Sequence, residues 1–201
     1  MSARKDYLSL PMREFLADLA AKSPTPGGGS VAALLGALAA SQAQMVIGYT
    51  VGKEKYAEHE ERLRALLDEF KRAAGAFSQL MSEDMAAYER YAASRQSDDA
   101  DERQRAVATA VAVPMEVLAL AEAVAARLDE IKSFVNPYLF TDLRVAAILA
   151  LAATRSAGLN VRVNLEDLAD RKEAERLESQ LDAMIDRVHQ HHRAVTHHQP
   201  T

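Results

Sequence analysis

Apolar residues return along this chain at the three- and four-residue steps of a helix face. Met12, Phe15, Leu16 and Leu19 set the first such face, directly after Ser9-Leu10-Pro11, where proline suits an opening turn. The spacing predicts a long charged helix over 53–93, with Leu63, Leu66, Leu67, Phe70, Phe77, Leu80 and Met81 as its apolar stripe. It predicts another over about 167–192, carrying Leu168, Leu177, Leu181, Met184, Ile185 and Val188 inside. Three further helices are less amphipathic. One covers 31–51. A second is begun by Ser97-Asp98-Asp99, runs to about 131 and should be kinked by Pro114. The third covers 143–163, behind the Asn136-Pro137 turn and a Thr141 cap.

The helix over 31–51 lies in a stretch, 23–52, of thirty residues without Asp, Glu, Lys or Arg, in a chain that is 26% charged. Such a gap marks a buried element. It opens on Pro24-Thr25-Pro26-Gly27-Gly28-Gly29-Ser30, where consecutive glycines permit close backbone approach and Ser30 occupies a place suited to an N-cap. Free N–H groups at a helix start also suit a carboxylate or phosphate. Gly28, Ala32, Gly36, Ala40, Gly48 and Gly52 form a ridge of small residues, and Ala146, Ala150, Thr154 and Gly158 form another. Such ridges let helices pair closely, within a subunit or across a dimer. The 31–51 helix is long enough to cross a membrane, but Ser41, Gln42, Gln44 and Thr50 interrupt it and favour burial in protein.

These elements predict one all-α domain over 1–201, an up-and-down helical bundle of five to seven helices with the two most apolar helices at its centre. β-hairpin signals such as Asn-Gly or Asp-Gly are absent. The chain has no Cys, so a disulfide framework and a thiolate zinc site are excluded, and a cytoplasmic setting is expected. No signal-type apolar core follows Met1. The formal net charge of −5 leaves no broad basic face for nucleic acid. Lys53, Lys55, Arg144 and Arg162 are the local cations that could meet an anionic ligand. Five of the six His fall beyond 188, without the spacing of a metal site, and fraying is expected over about 193–201.

No triad order, P-loop, dinucleotide fingerprint or zincin motif occurs, and His59 is the one His in the body of the fold. If the protein is an enzyme, a carboxylate must therefore carry acid–base work. Asp84 stands out because Tyr88 and Tyr91 follow it at i+4 and i+7 on one helix face. Asp142 sits in a first helical turn, where an acid is also simply favourable. Asn136 and Asn160 are amides at helix ends or turns, which a turn role also explains.

Taken together, these segments resemble the cyclodeaminase/cyclohydrolase family of folate enzymes. The matching segments are Pro24 to Ser30, Gly52-Lys53-Glu54-Lys55-Tyr56, Asp84-Met85-Ala86-Ala87-Tyr88, Val113-Pro114, Asn136 with Thr141-Asp142-Leu143-Arg144-Val145-Ala146-Ala147, and Asn160-Val161-Arg162-Val163-Asn164-Leu165. Each is weak alone; their order and spacing are specific. The resemblance implies a helical homodimer that binds a reduced folate near the subunit interface. It assigns catalytic roles to Asp84 and Asp142, and substrate contacts to Gly27, Gly28, Gly29, Ser30, Lys53, Tyr88, Asn136, Thr141 and Asn160. The implied activity is formiminotetrahydrofolate cyclodeamination, with methenyltetrahydrofolate cyclohydrolysis as the alternative. Neither needs a metal or a cofactor beyond the folate itself, and neither nucleic acid nor membrane is an expected partner. A non-catalytic dimeric protein that binds a small ligand is the reading of a different class.

Overall fold

The computed structural model describes residues 5–199, and among them the chain forms six α-helices and no strand. The helices are α1 (Met12–Ala20), α2 (Gly28–Gly48), α3 (Glu60–Ser94), α4 (Ala100–Ile131), α5 (Phe140–Leu165) and α6 (Arg171–Thr196). Short 3-10 turns at Glu54–His59 and Pro137–Leu139 precede α3 and α5. From α2 onward neighbours in sequence are neighbours in space, as an up-and-down bundle requires, and α2 also packs along α5. The expectation of an all-helical bundle is met. The N-terminal leader reading at 1–4 and the last two residues of the tail, 200–201, lie outside the described residues.

The small-residue ridges are used inside the subunit. Ala32, Gly36 and Ala40 of α2 are buried, as are Ala146, Ala150, Thr154 and Gly158 of α5. The tightest point is Gly36. A Cβ there would lie 2.3 Å from Cε1 of Phe77, a fully buried ring on α3. Gly36→Ala is therefore expected to lower stability by about 1–3 kcal/mol, because the ring has nowhere to retreat. At this size that is about 2–4 °C of melting temperature per kcal/mol. An unchanged thermal midpoint followed by circular dichroism would contradict it.

Several boundaries differ from the sequence expectation, each for a local reason. The α2 helix begins at Gly28 with Gly27 as N-cap, so Ser30 is not a cap but a first-turn residue, fully buried. Thr141 is no cap either. Asn136 Oδ1 accepts from the Tyr138 N–H and starts the 3-10 turn, which leads straight into α5 and leaves Thr141 exposed on its first turn. The predicted start of α3 at 53 is occupied by the 3-10 turn. In α6, Asp170 caps the helix through the Lys172 and Glu173 N–H groups. That helix continues through Thr196 and buries Val195, past the point at which fraying is expected.

Three segments, Gly28–Gly48, Ala100–Ile131 and Pro137–Leu165, are long and apolar enough to cross a membrane by length and composition. Each has a large share of its surface packed into the bundle, beside the charged helices α3 and α6. The burial of α2 and α5 is incomplete, however. Leu38 and Tyr49 on α2, with Val145, Ile148, Leu159 and Val163 on α5, form an exposed apolar stripe.

Candidate active site

Gly28 faces Asn160, and Gln42 hydrogen-bonds Asp142, so α2 and α5 run antiparallel. The α2 N-terminus therefore meets the C-terminal part of α5, and the far part of α3 joins them there. A cleft of about 340 Å³ opens at this end. Its walls come from the Pro24–Gly29 turn, from Asp84, Ala87, Tyr88 and Tyr91 of α3, from Ala110 of α4, and from Asn160, Val163, Asn164 and the following Asp167. A larger apolar groove of about 440 Å³ lies between α4 and α6, but Glu116 and Glu173 are its only charged walls among the described residues, and they converge on no reactive group.

Asp84 is the chemical centre of the cleft. Its Oδ2 accepts from the Ser30 hydroxyl at 2.8 Å, and the carboxylate also accepts from the Ser30 backbone N–H. This explains why α2 starts without a cap of its own. An acid from α3 meets the Ser30 N–H in the first turn, where negative charge is favoured. The contact is possible because residue 29 is glycine. A Cβ there would stand 1.9 Å from Asp84 Oδ1 and 2.5 Å from its Cγ. Burial pushes the Asp84 carboxyl above its ordinary range, and the two Ser30 hydrogen bonds only partly oppose this. Among the described residues no Lys or Arg lines the cleft to pull it back.

The opposite wall is set by a proline. Pro114 lies inside α4 and has no N–H, so the Ala110 carbonyl lacks its helical donor. The Asn164 amide fills the gap, donating to Ala110 O at 2.6 Å. This fixes the face of α5 that the cleft sees. Asn160 lies one turn earlier and donates to Ser156 O at 2.8 Å, leaving its amide oxygen beside Gly28. Beyond the helix, Asp167 accepts from the Tyr91 hydroxyl, and this hydrogen bond, with burial, raises the phenol's pKa.

Of the residues named from the sequence, the cleft gathers Gly27, Gly28, Gly29, Asp84, Tyr88 and Asn160, with Ser30 directly behind Asp84. It does not gather Asp142, Lys53, Asn136 or Thr141. Asp142 accepts from Gln42 Nε2 at 2.8 Å. Gln42 lies thirteen residues along α2 from Gly29, a rise of about 20 Å. Lys53 is exposed beyond the same end of α2, and the Asn136 N–H donates to Thr50 Oγ1 there. Within one subunit these four residues belong to the other end of the bundle. The sequence reading missed Asn164 and Asp167 as site residues. Their spacing from Asn160, i+4 and i+7, repeats that of Asp84, Tyr88 and Tyr91 and was the available signal. Among the described residues no group of three His, Asp or Glu converges as a metal site.

The sequence profile of the formiminotransferase-cyclodeaminase family matches residues 11–183. The chain belongs to that family. Within the formiminotransferase-cyclodeaminase family, a methenyltetrahydrofolate cyclohydrolase of Methylorubrum extorquens is 34% identical over 187 residues, covering 85% of this chain and 86% of that protein. A formimidoyltransferase-cyclodeaminase of Sus scrofa is 33% identical over 178 residues, 83% of this chain but 32% of that longer protein. The crystal structure of a formiminotetrahydrofolate cyclodeaminase from Thermotoga maritima superposes with a TM-score of 0.87 at 29% identity, covering 94% of this chain and 96% of that one. The family and fold implied by the sequence motifs are thereby borne out.

Proposed function

We propose that the protein is a formiminotetrahydrofolate cyclodeaminase in which Asp84 moves the protons. The observation that carries this reading is a largely desolvated carboxylate at the start of α2, in a cleft that no Lys or Arg among the described residues lines. Such a site suits a substrate whose reacting carbon carries positive charge. Folate N10 attacks the formimino carbon of 5-formiminotetrahydrofolate and gives a tetrahedral carbon between N5 and N10. Protonated Asp84 donates to the imine nitrogen, and its carboxylate then takes the proton from N10. A second donation releases ammonia and leaves the 5,10-methenyl cation beside the Asp84 carboxylate, which takes one proton from solvent before the next turnover. The upward shift keeps Asp84 protonated to higher pH than an ordinary carboxyl, which suits a group that must both donate and accept. Tyr88, Asn160 and the glycine turn would hold the pterin, and the scheme uses no group beyond the reduced folate.

The second reading, methenyltetrahydrofolate cyclohydrolysis, is favoured by the full-length similarity to the Methylorubrum enzyme. There Asp84 takes a proton from water as it attacks the bridging carbon. Both readings are tested by adding the protein to 5-formiminotetrahydrofolate while assaying ammonia, and separately to 5,10-methenyltetrahydrofolate while following its absorbance. Ammonia release with growth of the methenyl band is the expected result. Loss of the methenyl band without ammonia would select the second reading, and no turnover of either compound would defeat both.

We further propose that the working form is a homodimer. The exposed α2–α5 stripe supports this, since Val163 belongs both to that stripe and to the cleft. Ser41 and Arg155, exposed along the same face, suit a protein interface better than lipid. A two-fold axis near the middle of α5 would turn the partner's Asp142 and the partner's Lys53 toward the cleft. The four residues stranded at the far end would thus rejoin the site named for them. Sedimentation at a dimer mass, lost in Ile148→Glu, is the expected outcome.

A further inference from the structure

Beside the cleft, and sharing Tyr91 and Asp167 with it, lies a second recess of about 260 Å³. Its character is the reverse of the cleft's, because its walls include the guanidinium groups of Arg95 and Arg103. Arg103 uses Nη1 on the Ser97 carbonyl and keeps its other N–H groups. The Arg95 side chain has no ion-pair or hydrogen-bond partner among the described residues, and it is near enough to Tyr91 to act on its charge. The floor is fixed. Gln104 donates to Asp167 O at 3.2 Å and accepts from the Ala169 N–H at 2.8 Å, tying the α5–α6 loop to α4. The two chambers thus meet at the Tyr91–Asp167 hydrogen bond, acidic on one side and basic on the other.

We propose that this recess seats the carboxylates of the substrate's glutamyl tail. The inference rests on the folate reading above and adds the place where the anionic end of that molecule is held. A reduced folate carrying a one-carbon cation has its positive centre at one end and its glutamyl carboxylates at the other, joined by an aminobenzoyl spacer. The paired chambers present the complementary polarity in the same order. Asp84 and Arg95 are eleven residues apart along α3 and its end, a rise of about 16 Å, which their side chains shorten from both sides. In a chain of net charge −5, Arg95 without an ion-pair partner among the described residues, beside Arg103, which also acts on Asp99, is a local exception at the mouth of an acidic cleft that selects for carboxylates.

The test uses whichever folate the full-length protein turns over, prepared as the pteroate with no tail and its benzoate carboxyl masked as the primary amide, as the monoglutamate and as the triglutamate. Substrates are compared in the parent, Arg95→Gln, Arg103→Gln and the double variant. For the monoglutamate, KM should rise about tenfold in the double variant while kcat stays within twofold, since two charge-assisted hydrogen bonds are lost away from the reacting carbon. The pteroate should show one KM across all four proteins, and added salt should weaken only the glutamylated forms. Arg95→Gln removes an exposed guanidinium with no ion-pair partner among the described residues, so its behaviour is free of the folding effect that Arg103→Gln brings through Ser97. Equal monoglutamate KM in the parent and Arg95→Gln, or an equal penalty on the pteroate, would overturn the proposal while leaving the folate reading intact. A parent protein inert toward every folate would overturn both.

Discussion

Asp84→Asn is expected to lower kcat by about 10²–10⁴-fold, the span of general acid–base catalysis, and at the same time to make the protein more stable near neutral pH. Both effects come from burial. The folded-state pKa of Asp84 is raised above the ordinary 3.8, with loss of solvent as the main cause and the Ser30 hydrogen bonds opposing it. A carboxyl whose folded pKa is raised binds protons more readily in the native state than in the unfolded chain. Its contribution therefore favours the fold below pH 3.8, weakens as pH climbs through the window up to the raised value, and is unfavourable above it. Asparagine is neutral throughout and can still accept from Ser30. The variant should melt higher than the parent at pH 8, and the gap should close as pH is taken below about 4. Melting curves at pH 8 and pH 3.5, set beside kcat, check this. A parent that melts higher than the variant at both pH values would refute the buried-carboxylate account, and near-normal kcat in a folded variant would remove Asp84 from the mechanism.

The bundle was legible because helical periodicity is written locally, in stripes such as Leu63, Leu66, Phe70 and Phe77, all of which are buried. The core of the site was legible for a similar reason. Asp84, Tyr88 and Tyr91 share one face of one helix, and the three glycines announce a close approach. What escaped the sequence depends on contacts between helices. Ser30 looked like a cap because the true partner of the α2 start is an acid fifty-four residues away. Asn164 is aimed by a carbonyl that Pro114 leaves bare on a different helix, so only its spacing from Asn160, and not its hydrogen-bond partner, is written in the local sequence. Asp142 reads as an equal of Asp84 in a linear motif. Nothing in the linear order shows that the two sit at opposite ends of the bundle, on helices that each run antiparallel to α2.

Gly29→Ala should abolish most activity without harming the fold, and the two glycines before it supply the control. Alanine is the better helix former, by about 1 kcal/mol at an interior position, so the backbone of α2 has no reason to resist the change. The Cβ, however, would stand 1.9 Å from Asp84 Oδ1 and 2.8 Å from Oδ2, and one of the two must move. The α2 backbone is fixed by its packing on α3 and α5, whereas a carboxylate can swing about its own χ angles. Asp84 is thus expelled from the Ser30 hydroxyl. A displacement of this order at a catalytic group costs about 10²-fold or more in rate. Gly28→Ala brings its Cβ only to 3.4 Å from Asn160 Oδ1, and Gly27→Ala meets nothing within 4 Å, so both should keep activity within a few-fold. Because Gly29 acts through Asp84, the double variant Gly29→Ala/Asp84→Asn should be no slower than Asp84→Asn alone. Steady-state rates for the five proteins, with melting temperatures to show that each is folded, decide the matter. If Gly29→Ala is as fast as Gly27→Ala, the glycine does not make room for the acid. If the double variant loses the full product of the two single effects, Gly29 works on the substrate directly and not by seating Asp84.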